Sequence, residues 1–252
     1  MVKVDLNCDM GESFGVYSLG CDADIIQHVS SVNVACGFHA GDPTVMKNTV
    51  ELAKKNGVAV GVHPGFNDLQ GFGRRNMQVS PSEIYNMVVY QIGALYGFSA
   101  AMDLKLHHVK PHGALYNMAA KNPDMSMAIA QAVKDVDPGL IMYGLAGSEL
   151  IKAAELLGLC VYNEVFADRT YQPDGSLTPR TQENALLQSD DEAVQQVLDM
   201  VLKGEVKSVT GEWIPVKADT ICIHGDGDHA LSFAKKVRKA LEDSDVSVEA
   251  YR

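Results

Sequence analysis

The chain has 252 residues and a formal net charge of −11, with 46% hydrophobic and 21% charged residues, a globular composition long enough for one large α/β domain over residues 1–252. The acidic balance disfavours phosphate backbones and anionic bilayers, so neither nucleic acid nor a membrane is an expected partner, and no apolar run reaches the ~20 residues of a spanning helix. Five cysteines without CxxC spacing, and an opening Met1-Val2-Lys3-Val4-Asp5 that reads as strand rather than signal peptide, point to free thiols in a reducing cytoplasm.

In chain order, the first apolar run, Val2–Leu6, predicts a strand that ends in Asn7, Asp9 and Glu12. A short helix is expected from Asp22 to His28, then a strand over Val29–Ala35 running into Cys36-Gly37-Phe38-His39-Ala40-Gly41-Asp42. Beyond Asp42-Pro43, Val45, Met46, Thr49, Val50 and Ala53 recur at helical spacing, with Gly57 placed to end the helix. The strand Val58–Val62 stops at His63, and a glycine-rich loop, Gly65–Val79, carries Asp68, Arg74 and Arg75. Ser80-Pro81-Ser82-Glu83 is a capping box that opens a long helix through Ile84, Val88, Ile92 and Leu95.

The strand Leu104–Val109 leads to Lys110-Pro111-His112-Gly113, and Asn122-Pro123 starts another helix. Leu140–Leu145 ends without charge in Ala146-Gly147-Ser148, and a short helix from Leu150 stops at Gly158. Leu159–Phe166 carries Glu164 and runs into Asp168-Arg169, at the head of a polar loop, Asp168–Gln188. A helix through Ala193–Leu202, a hairpin over Gly204–Lys217, the strand Thr220–Ile223 with His224-Gly225-Asp226 after it, and a helix from Ala230 to Leu241 complete the pattern.

Strand followed by helix, seven times over, predicts parallel strands with right-handed crossovers. An open doubly wound sheet satisfies the same alternation, but it gathers its polar groups at one switch point. Here six of the seven strand ends carry charged or imidazole side chains, which favours a seven-stranded parallel (β/α) barrel with a pocket at the strand carboxyl ends. The two long loops are expected to cover that pocket.

Alternation places Asp5, Asn7 and Asp9 on one face, inward in a barrel, so Asp5 needs a partner there. Asp9 and Glu12 are close enough in sequence to call for a metal, a proton or a cation, unless they only serve the turn. Asp42 reads as a helix N-cap, while His39 sits in a glycine-flanked turn at the barrel mouth. His63 with an aspartate from a neighbouring strand could hold a divalent metal, as in deacetylases of similar architecture, although no HExxH motif is present. Lys110 is either an anion-binding cation or one half of a salt bridge to Glu164 or Asp5. Glu164, Asp168 and Arg169 combine a carboxylate with an arginine fork, and Asp226 stands where the last helix opens. No P-loop and no GxGxxG after a strand occur.

The blocks Asp5–Glu12, Asn33–Asp42, Gly61–Gly65 with Gly71–Arg75, Val109–Tyr116, Glu164–Arg169 and Ile223–Asp226 together resemble the LamB/YcsF family, the A subunit of bacterial 5-oxoprolinase. The resemblance runs from Val4 to about Ala240, with the blocks in order. It implies a seven-stranded α/β barrel of the glycoside hydrolase/deacetylase type. It also implies the ATP-dependent cleavage of 5-oxo-L-proline to L-glutamate, with ATP carried with Mg, in a complex with the B and C subunits. On that reading Asp9, Glu12 or His63 handles the proton of water and His112 or His224 protonates the departing nitrogen, with Glu164 a further catalytic carboxylate. Lys110 and Arg169 hold a carboxylate or phosphoryl group, with Asn7, His39 and Asp226 as further substrate contacts. Two other readings stay open: a metal-dependent deacetylase or amidohydrolase, and a non-catalytic chain that only captures the substrate.

Overall fold

The structure is a computed structural model that describes residues 2–223 and 230–250; the predicted site residues His224 and Asp226 lie outside the described residues. Seven parallel strands close on themselves: β1 (Val2–Met10), β2 (Ser31–Ala35), β3 (Ala59–His63), β4 (Leu106–Val109), β5 (Ile141–Leu145), β6 (Val161–Phe166) and, after a small hairpin of β7 (Glu205–Lys207) and β8 (Trp213–Pro215), β9 (Thr220–Ile223). The ring is sealed by the pairing of β9 with β1, in the register Asp5 to Thr220 and Cys8 to Ile223. That closure selects the barrel over the open sheet. The hairpin is antiparallel, Val206 opposite Ile214, as Thr210-Gly211 predicts.

Two strand features go beyond the sequence expectation. β1 does not stop at Leu6 but continues through Met10, because Asn7, Cys8, Asp9 and Met10 all pair with β2. A short β10 (Val246–Val248) also adds in parallel to the first residues of β1.

Around the barrel lie α1 (Asp22–Ile25), α2 (Pro43–Asn56), α3 (Pro81–Ala101), α4 (Gly113–Ala119), α5 (Pro123–Val136), α6 (Glu149–Leu156), α7 (Asp190–Leu198) and α8 (Ala230–Asp243). Their ends follow the predicted chemistry. Asp42 accepts from the Thr44 and Val45 amides at 2.8 and 3.0 Å, Gly57 closes α2 in the left-handed region, and Ser80 and Glu83 complete the capping box of α3. The sequence reading missed α4. Its first residue, Gly113, takes a φ of +53°, and a Cβ there would lie 2.7 Å from the Gly73 carbonyl oxygen, so a glycine that looks like a helix breaker is what admits this helix. No helix among the described residues is long and apolar enough to cross a membrane.

The alternation of β1 sets the layering. Val4, Leu6, Cys8 and Met10 belong to the apolar layer between strands and helices, whereas Asp5 and Asn7, both buried, form hydrogen bonds across the barrel interior with Tyr143 on β5 and Glu164 on β6.

Candidate active site at the carboxyl face of the barrel

The barrel axis is polar from floor to mouth. At the bottom, the Asp5 carboxylate accepts hydrogen bonds from four hydroxyls: Ser30 (2.6 Å), Ser31 (2.8 Å), Tyr143 (2.9 Å) and Thr220 (2.6 Å). The buried acid is met by hydroxyls from three neighbouring or facing strands rather than by a cation. One layer up, Asn7 donates to Glu164 Oε1 at 2.9 Å and to Thr220 Oγ1 at 2.8 Å, while Asn33 donates to Asn7 and to Asp9. His108 Nε2 donates to Asn33 Oδ1 at 2.6 Å and its ring stacks on Tyr143 at 3.9 Å. That ring occupies the space a side chain at Gly61 would need, since a Cβ there would lie 2.1 Å from Nε2.

Lys110 links this ladder to the mouth. Its Nζ lies 2.9 Å from Glu164 Oε1, 3.1 Å from Asp9 Oδ1, 3.2 Å from Asn7 Oδ1 and 3.1 Å from Cys222 Sγ. Burial opposes its charge, but Asp9 and Glu164 outweigh that and push Lys110 well above the usual lysine value. Burial likewise opposes the Asp9 charge, yet His63 and Lys110 hold its carboxyl well below the usual carboxylate range. An ammonium has three N–H groups, so with four acceptors in place its donors are committed to the pocket floor.

Four successive strand ends deliver the next group: Glu12 after β1, His39 after β2, His63 at the end of β3 and His112 after β4. Their ligating atoms lie within 4.8 Å of one another. His112 Nδ1 is 2.9 Å from His63 Nε2, Glu12 Oε1 is 3.3 Å from His39 Nε2 and 3.6 Å from His112 Nδ1, and Asp9 Oδ2 is 3.3 Å from His63 Nε2. The outer nitrogens are tied to backbone: His63 Nδ1 to the Lys110 carbonyl at 2.7 Å and His112 Nε2 to the Phe72 carbonyl at 2.8 Å. Phe72 holds that carbonyl from a left-handed φ of 53°, uncommon for a bulky residue. Burial lowers His39 well below its ordinary value and His112 to about 3, with the neighbouring histidines adding to the effect, so these rings are neutral at pH 7.

Asp9, Glu12, His63, Lys110, His112, Tyr116 and Phe166 line a cavity of about 950 Å³. The two long loops wall it as expected, one through Arg74, Arg75 and Asn76, the other through residues 176–181. Its rim is basic, with Arg74, Arg75, Lys121 and Arg180. Arg169 also reaches the wall, but its Nε and an Nη donate to the carbonyls of Ala185 and Thr178 at 3.2 and 2.6 Å, anchoring the second loop rather than pairing with Glu164. Burial, then Arg180 beside it, lowers Arg169 to about 10. Asp42 is used as the cap of α2, with a further bond to the Gly15 amide at 2.8 Å. Sequence reasoning did not single out Tyr116, Asn33 or Tyr143; for Asn33 and Tyr143 the available signal was strand alternation, which points both inward. Among the described residues, His39 Nδ1, Tyr116 OH, Ser148 Oγ and Glu164 Oε2 are buried without a hydrogen-bond partner.

Residues 4–252 match the LamB/YcsF family. The chain belongs to that family. The A subunit of 5-oxoprolinase from Tolumonas auensis is 66% identical over 99% of this chain and 100% of its own length. A solved structure of a lactam utilization protein from Thermus thermophilus superposes with a TM-score of 0.94 at 48% identity, covering 99% of this chain and 100% of that one. The family barrel is also like that of a family 4 carbohydrate esterase from Streptomyces lividans, with a TM-score of 0.53 at 12% identity, over 100% of this chain and 93% of that one, a likeness of fold alone.

Proposed function

We propose that this chain is the A subunit of a cytoplasmic 5-oxoprolinase. It opens 5-oxo-L-proline to L-glutamate, with ATP hydrolysed to ADP and phosphate, in a complex with the B and C subunits. The names of its close relatives support the substrate class. The observation in the molecule that carries the reading is the chain Asp9–His63–His112–Glu12, with contacts of 3.3, 2.9 and 3.6 Å, exposed to the cavity floor beneath a basic rim.

A five-membered lactam is an unstrained amide, so its hydrolysis needs both activation and proton transfer at two atoms. Phosphoryl transfer from ATP to the lactam oxygen makes C5 electrophilic. Water then adds to C5, the C5–N bond breaks as nitrogen takes a proton, and the phosphoryl group leaves as phosphate with a second water. His63, oriented by the Lys110 carbonyl and backed by Asp9, takes the water proton. His112, in contact with it, returns a proton to the departing nitrogen. Lys110 helps keep Asp9 ionised and pairs with Glu164 Oε1. The substrate carboxylate and the ATP phosphates, with their Mg, face Arg74, Arg75, Lys121 and Arg180 at the rim.

The test is glutamate release by the reconstituted complex, with and without ATP, and by the isolated chain. ATP-dependent release only from the complex, lost when Asp9→Asn replaces the wild-type chain, is the expected result. Full ATP-coupled turnover with Asp9→Asn refutes the relay. Release without ATP that a chelator abolishes favours metal-dependent amide hydrolysis. Lactam binding by the chain, with turnover untouched by any pocket substitution, favours a non-catalytic chain that only captures the substrate.

A further inference from the structure

The two central histidines of the cluster are held with their inner nitrogens toward one another. A carbonyl oxygen accepts only from N–H, so the 2.7 Å contact with the Lys110 carbonyl puts the His63 proton on Nδ1, and the 2.8 Å contact with the Phe72 carbonyl puts the His112 proton on Nε2. Each ring therefore turns its other nitrogen inward, and the two inner nitrogens face each other across 2.9 Å. Glu12 Oε1 and Asp9 Oδ2 add further acceptor-only atoms at 3.6 and 3.3 Å from the same nitrogens. A single proton relieves only the His63–His112 contact. A cation takes up both inner nitrogens and Glu12 Oε1 together.

We infer that Glu12, His39, His63 and His112 bind one divalent transition-metal ion of the Zn²⁺ or Co²⁺ class, with His63 Nε2 and His112 Nδ1 as its fixed nitrogen ligands. The spacing fits. Bonds of about 2.0–2.1 Å place the ligand atoms of a tetrahedral ion about 3.3–3.4 Å apart; three of the six separations are 2.9, 3.3 and 3.6 Å, and all four atoms lie within 4.8 Å of one another. Imidazole nitrogen with one carboxylate suits zinc-like ions rather than magnesium or calcium, which take oxygen. The backbone carbonyls behind His63 and His112 fix tautomer and ring direction, as the outer partners of metal-bound histidines do. The planes of those two rings stand at 86°, so one ion can lie in both.

His39 differs. Its ring stacks on His112 at 3.7 Å and 4°, and one ion cannot lie in both of those parallel planes. To ligate, His39 must turn out of the stack and give up its 3.3 Å contact with Glu12, while its Nδ1 has no partner to lose. It is therefore the weaker ligand. Glu12, His63 and His112 line the cavity, so the ion keeps a face open to whatever enters, where it would act as a Lewis acid toward a carbonyl oxygen.

The ion site does not rest on the lactam chemistry proposed above and is an alternative use of the same two nitrogens, since a ring that binds the ion through its inner nitrogen can neither take nor return a proton there. The test uses the full chain, stripped with chelator and titrated with Co²⁺, with neither lactam nor ATP present. The expected result is one equivalent bound with a four- or five-coordinate visible spectrum, bleached by Zn²⁺. His63→Ala and His112→Ala each weaken binding by roughly 100-fold, Glu12→Gln weakens it as a partly exposed alternative should either histidine variant fold poorly, and His39→Asn weakens it least. Absence of stoichiometric binding by the wild-type chain, or binding unchanged in a folded Glu12→Gln or His63→Ala variant, overturns the site. Stoichiometric Co²⁺ with no lactam turnover would fail the function alone; ATP-coupled turnover by a chain that binds no metal would fail the site alone.

Discussion

The foot and the mouth of one barrel axis solve the problem of buried polarity in opposite ways. At the foot, Asp5 is fully buried and accepts four hydroxyl hydrogen bonds, each 2.9 Å or shorter. At the mouth, His63 and His112 turn their inner nitrogens toward each other and His39 leaves a nitrogen with no partner. A satisfied network rigidifies a fold, whereas an unsatisfied one raises its energy and persists where a ligand or a reaction uses it. The foot therefore reads as structure and the mouth as function, with Lys110 joining the two.

The contrast can be broken by substitution. The largest stability effect is expected for Lys110→Met, which leaves Asp9 and Glu164 buried without their counter-charge. Urea unfolding should register a loss of about 3–5 kcal/mol. Asp5→Ala strands four hydroxyls and should lose about 2–4 kcal/mol by the same measurement, although Asp5 is remote from the cavity lining. Gly61→Ala forces His108 out of its place and should lose about 1–3 kcal/mol. An Asp5→Ala chain as stable as wild type would undo the structural reading of the foot.

A pH series sharpens the same comparison in the metal-free chain. His112 is lowered by burial from 6.5 to about 3 in the folded protein, so between those values the unfolded chain binds the extra proton. The stability tied to neutral His112 is intact above about pH 6.5 and is lost as pH falls toward 3; His39, lowered in the same direction, adds to the slope. Urea midpoints should fall from pH 7 to pH 5, and His112→Ala should flatten part of that decline. A slope unchanged by the substitution would count against a buried neutral ring.

Much of this architecture could be read from the sequence because its signals are local. The proline and aspartate before α2, the capping box of α3 and the apolar runs each act within a few residues. The extension of β1 escaped because Asn7 and Asp9 look like turn residues until Asn33 and Lys110 arrive from other strands to meet them. The site was partly legible for the same reason: a residue at a strand end must face the barrel mouth, which places Glu12, His39, His63 and His112 together. Partner choice was not. Nothing local in the sequence says that Arg169 turns to the carbonyls of Thr178 and Ala185, or that Asp5 meets Tyr143 across the barrel. The strand end with no charge, at Leu145, proved to be an apolar part of the cavity wall.

The most direct test is turnover and stability measured together for His63→Ala. In the reconstituted complex, ATP-dependent glutamate release should fall at least about 100-fold, while urea unfolding of the same chain stays cooperative and loses about 1–3 kcal/mol with the bond to the Lys110 carbonyl. Wild-type turnover from the folded variant would contradict the assignment of the mouth as the catalytic end of the barrel.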